Sequence, residues 1–179
     1  SDAERIMRES EELNERINDV VRRVAEESKR LNDRINDVLR EVSKRNKDLI
    51  KRIKEVVDRN PEKKEEIKRL IDKLDKVLED VERRIRKLIE DDKRRIEEVK
   101  RRLERLIKED KRKIDEARKE GVEERIIERL DRLTKKSLEE LKRIIEDLKR
   151  RTKESEDRAR ELIKRNREEN KRLLEEAEK

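Results

Sequence analysis

Two aspartates, Asp92 and Asp110, stand 18 residues apart at positions where the surrounding pattern calls for apolar side chains. Hydroxyls and amides occupy similar positions elsewhere in the chain: Ser10, Asn14, Ser28, Asn32 and Asn46 toward the N-terminus, and Thr134, Ser137, Thr152, Ser155, Asn166 and Asn170 toward the C-terminus. A carboxylate among such groups could act as a general base, as a ligand to a hard cation, or as the acceptor of a hydrogen-bond network. General acid–base work asks for paired carboxylates, or for a nucleophile beside a base. Here the two acids are roughly 27 Å apart at about 1.5 Å per helical residue, and the chain has no His. One carboxylate with hydroxyls and amides holds a hard cation only weakly. The pattern therefore predicts no enzyme activity, no metal and no cofactor. It predicts hydrogen-bond networks, with each ionised carboxylate as an acceptor hub and Ser, Thr and Asn as donors.

Helices must place these residues, and the repeat shows how. SEELNERINDVVRRVAEE, beginning at Ser10, is followed at once by SKRLNDRINDVLREVSKR, and a third copy starts at Asn46. A period of 18 residues is about five turns of α-helix, so equivalent positions return to one angle around the axis; the expectation is a straight helix without supercoil. On the first helix the seam reads Ile6, Leu13, Ile17, Val20, Val24, Leu31, Ile35, Val38, Val42, Leu49, Ile53 and Val56. Asn60-Pro61 ends it, with Asn60 expected to cap the next helix and Pro61 to begin it. The second helix, 61–120, carries Ile67, Leu74, Leu78, Val81, Ile85, Leu88, Ile96, Val99, Leu103, Leu106 and Ile114 on one face. Gly121 stops it as a left-handed terminator. The third helix, 122–179, has Ile126, Leu130, Leu141, Ile144, Leu148, Leu162 and Leu173 on its seam and Ile127, Ile145 and Ile163 at its edge. Three helices of about 58 residues with minimal connections predict an all-α, up-down-up antiparallel three-helix bundle, folded as one rod-like domain over 1–179.

In that arrangement the polar positions fall into three layers. The lowest gathers Ser10, Asn14, Asp110, Thr134 and Ser137; the middle one gathers Ser28, Asn32, Asp92, Thr152 and Ser155. The upper gathers Asn46, Asn166 and Asn170, where the second helix offers Leu74 in place of a third acid. Polar layers in an apolar seam cost stability but penalise any register or topology that leaves their members unpaired.

Composition narrows the partners. Of 179 residues 61% are charged, 29% are hydrophobic and none is aromatic, with one Gly and one Pro. Those fractions suggest disorder, but the unbroken apolar periodicity argues against it. The net charge of +7 is spread over faces that mix 58 basic with 51 acidic residues, and no ring is available to stack on a base, so no nucleic-acid partner is expected. The chain lacks Cys, and no apolar run approaches the roughly 18 residues that span a bilayer; the expectation is a soluble chain without membrane or small-molecule substrate.

The regular repeat, the Glu/Lys/Arg exterior, the Asn-Pro and Gly connections and the stacked Ser/Asn/Thr/Asp layers together resemble a de novo designed helical bundle with modular buried hydrogen-bond networks. That resemblance implies a scaffold, a spacer or one half of an engineered oligomer; the polar layers themselves favour a monomeric scaffold in which they specify helix register and topology. The alternative is an interaction module that associates with itself or a designed partner through the first helix, along an uncharged strip of Met7, Asn14, Asn18, Ala25, Asn32, Asn36, Ser43 and Ile50.

Overall fold

The computed structural model describes residues 2–178, and the side chains of all of these except 2, 61, 177 and 178. Helix α1 spans Asp2–Arg59, a single 3-10 turn covers Pro61–Lys63, α2 spans Lys64–Lys119 and α3 spans Glu124–Glu178. The fold is a three-helix bundle. Proline's fixed φ suits the first turn, as expected, but α2 starts three residues later than the sequence suggests, because the turn after Asn60 closes tightly, with Lys63 N–H donating to the Asn60 carbonyl at 3.2 Å. Asn60 sits at the cap position with φ −141°, yet its side chain makes no capping hydrogen bond.

The second connection is built by glycine. Gly121 has φ +77°, a conformation other residues rarely adopt. Its N–H donates to the Arg118 carbonyl at 3.2 Å and the Val122 N–H to the Ala117 carbonyl at 3.1 Å, the paired bonds of a Schellman motif. Val122 packs against the cluster that holds Ala117, in keeping with the apolar contact that usually accompanies the motif. Val122 therefore belongs to the end of α2 and not to the start of α3, whose first turn accepts from Ile126 and Ile127 through the Glu123 carbonyl. Lys179, the expected last residue of α3, lies outside the described residues.

Each helix contributes to two compact units, residues 1–30 with 92–151 and residues 31–91 with 152–179. In the first unit Glu9 pairs with Lys113 and Glu27 with Arg95, so that moving up α1 means moving down α2: these two run antiparallel. In the same unit Ile6 clusters with Ile127 and Asn14 meets Ser137, so that moving up α1 means moving up α3: these two run parallel there. The first unit's core centres on Ile17, Ile96, Leu103 and Leu141, with a further cluster of Ile6, Ile114, Ile127 and Leu130. Ile35, Ile85, Ile89 and Ile163 form one cluster of the second unit, and Ile53, Ile67, Ile71, Leu74 and Leu173 the other.

Two departures from the expected seams have a common cause. Ile127, Ile145 and Ile163, expected at the edge of α3, are buried, whereas the seam residues Ile126, Ile144 and Leu162 are only half-buried. Ile71, Ile89 and Ile107 of α2 are likewise buried beside the predicted face. A helix that touches two neighbours buries an arc whose centre depends on where both stand, and a one-helix projection does not contain that information. Leu49, on the predicted seam of α1, is 39% exposed.

Candidate functional site: buried polar clusters

The lowest polar group is assembled from all three helices of the first unit. Asp110 on α2 is fully buried and accepts from both neighbours: Ser10 Oγ of α1 donates to Oδ1 at 2.5 Å, and Thr134 Oγ1 of α3 donates to Oδ2 at 2.5 Å. Asn14 Nδ2 adds a third donor to Oδ2 at 3.1 Å and spends its other proton on the Ser10 carbonyl at 3.0 Å. Ser137 is held one step away, its Oγ donating to Asn14 Oδ1 at 2.7 Å. Thr134 Oγ1 also lies 3.0 Å from the Leu130 carbonyl, the usual back-bond of a mid-helix threonine, so its one proton has two acceptors in reach. Burying an ionised carboxylate is costly without compensation, and here its lone pairs meet three donors.

Among the middle group, Ser28 and Asp92 are buried in the first unit, both at 2% exposure. Asn32, Thr152 and Ser155 are buried in the second, where Ser155 Oγ donates to Asn32 Oδ1 at 2.5 Å. That bond repeats, one period along, the one from Ser137 to Asn14. The third equivalent is apolar: Ile50 packs on the cluster that holds Leu173.

The upper group differs from what its composition suggests. Asn46, Asn166 and Asn170 are all buried in the second unit, but no hydrogen bond is formed among them. Asn170 Nδ2 instead donates to Asp75 Oδ1 at 3.1 Å, leaving its own Oδ1 without a partner. Neither polar atom of the Asn46 amide has a partner, nor does Asn166 Nδ2. Asp75, half-buried, is the acid that sequence reasoning missed at this level. A signal was present: the equivalent positions in the neighbouring repeats are Lys93 and Lys111, so an acid at 75 breaks the pattern.

Outside these groups the surface is stitched by ion pairs. The Lys113 ammonium, 2.7 Å from Glu9, holds the Glu9 carboxyl below the ordinary carboxylate range and is itself raised by it. Lys149, 3.0 Å from Glu97, lowers Glu97 in the same way. Among the described residues no three His, Cys, Asp or Glu side chains are grouped so as to hold a metal ion, and no helix is long and apolar enough to cross a membrane.

No family model matches the chain, and no curated protein matches it. Among solved structures it is similar to a "Computationally designed three helix bundle" at 17% identity and a TM-score of 0.53, over 98% of this chain and 88% of that one. At that identity the likeness speaks for the fold alone, and on the fold it agrees with the packing of α1, α2 and α3: the chain is a three-helix bundle.

Proposed function

We propose that the chain is a designed structural scaffold, one domain over 1–179 and monomeric on its own, whose buried polar groups select helix register and the side on which α3 packs. The observation that carries this reading is Asp110. One carboxylate is tied to Ser10 of α1 and to Thr134 of α3 together, so a slip of either helix, or a bundle turned in the opposite sense, strands a buried charge. The likeness to a computationally designed bundle supports the same reading. An acid already engaged by three donors, in a chain with no imidazole or thiol, is poorly suited to proton transfer, which supports a non-enzymatic role.

Association through the uncharged strip of α1 has less support. Asn14 and Asn32 turn toward Ser137 and Ser155, and Met7 and Ile50 pack on buried clusters, so half the strip is occupied within the chain. The test uses the absence of native cysteine. Cysteine pairs are introduced between α1 and α3 either in the observed register or shifted by one turn, in the parent and in a variant with Ser10, Asn14, Asp110, Thr134 and Ser137 replaced by apolar residues. The parent is expected to cross-link only in the observed register and the variant in both; equal selectivity in the two would refute the role assigned to the polar group. A mass from light scattering of one chain accompanies it.

A further inference from the structure

The second unit carries an apolar groove between α1 and α2. Two contiguous depressions, of about 370 and 520 Å³, share Leu49, Leu74 and Val77 and extend over Val38–Val56 of α1. Leu49, Leu70 and Val77, at 39, 37 and 54% exposure, stand along it; of the large exposed hydrophobics among the described residues only Leu133 lies elsewhere.

These positions depart from the 18-residue repeat together. In the first unit the α1–α2 seam is closed by Glu9 with Lys113 and Glu27 with Arg95. One period further the same two positions hold Arg45 and Val77, which cannot pair, and Arg45 turns back to Glu41. The hub position of Asp110 and Asp92 becomes Leu74. Leu13 and Leu106, equivalents of Leu49 and Leu70, are buried at 6 and 8%. The groove also contains one polar group with no internal use: Asn46, 3% exposed, lines it with both amide atoms unpartnered.

We propose that this groove is a docking site for an amphipathic helix of another chain, with an apolar stripe of about five turns, an amide or hydroxyl in mid-stripe to meet Asn46, and carboxylates on its flanks. The flanking charge follows from the rim. Its acids are already engaged, Glu41 by Arg45 and Asp80 by Arg83, whereas Arg52, Lys73 and Arg84 have no ion-pair partner among the described residues. That net positive rim repels its own copy and favours an acidic one. A buried amide discriminates as well as binds, because a fully apolar stripe would leave it unpaired.

The test is fluorescence anisotropy of the full chain with labelled helical peptides. The probe carries a Leu/Ile stripe, one central Asn and Glu flanks; its companions carry Lys flanks, or Leu in place of the Asn. Saturable binding of the probe is expected, weaker by about tenfold or more for the Lys-flanked peptide and for the all-apolar stripe. Val77→Glu, a substitution at an exposed site, should abolish binding while circular dichroism stays helical, whereas Leu133→Glu should leave it unchanged. Arg52→Glu with Lys73→Glu should invert the flank preference, and Asn46→Leu the stripe preference. Absence of saturation up to about 1 mM, indifference to flank charge, or binding that survives Val77→Glu would each overturn the proposal. So would a dimer by sedimentation that Val77→Glu dissociates, which would make a second copy the occupant.

Discussion

Asp110 and its donors show how the consequence of a substitution depends on what it leaves behind. Thr134→Ala removes a donor and keeps the buried charge, so it should cost about 1–3 kcal/mol in chemical denaturation. Replacing Ser10, Asn14, Asp110, Thr134 and Ser137 together by apolar residues of similar volume should be neutral or stabilising, since neither a charge nor the Ser137 hydroxyl that donates to Asn14 is left unpaired. The Glu9–Lys113 pair has a different signature, in pH. The folded-state value of Glu9 is depressed, so its contribution is present above the usual 4.5 and lost as pH falls through the lowered folded value. Lys113 is raised above 10.5, so its contribution is present below that value and lost as pH rises through the folded one. The Tm difference between parent and Lys113→Gln should therefore be small and constant from about pH 6 to 9, shrinking on either side. A chain without His has no imidazole to disturb that plateau.

At the level of elements, the two connections respond differently to mutation. Gly121 holds φ +77° with nothing within 4 Å of where a Cβ would stand, so the cost of Gly121→Ala is purely conformational, about 1–2 kcal/mol by equilibrium denaturation. Asn, which tolerates the left-handed region, should cost less than Ala there. Asn60 is the opposite case. A capping Asn typically contributes about 1 kcal/mol, but this one makes no side-chain cap bond, so Asn60→Ala should fall well short of that. The glycine terminator was legible because only one residue type tolerates that φ cheaply. The asparagine was misleading because residue type permits a cap bond without compelling it, and the tight turn at Pro61–Lys63 took its place.

For the whole molecule, α1, α2 and α3 each supply residues to both compact units with no linker inside any helix. The single-domain proposal therefore predicts one cooperative thermal transition, with calorimetric and van't Hoff enthalpies in agreement; two resolved transitions would divide the chain at the unit boundary.

What the sequence by itself determined is whatever depends on angle around one helix: three helices from an 18-residue period, the breaks at Asn60-Pro61 and Gly121, and the burial of Ser10, Asp110 and Thr134. Periodicity encodes these because each residue's angular position is set by its own chain. Tertiary structure decided whatever depends on two or three helices at once. It set which of Ile126 and Ile127 faces inward, gave Asn170 to Asp75 and left Asn46 without a partner, and left Leu49 open at a seam whose equivalent in the first repeat, Leu13, is buried. Those outcomes turn on distances of an ångström or two between side chains from different helices, and no pattern within a single helix carries them.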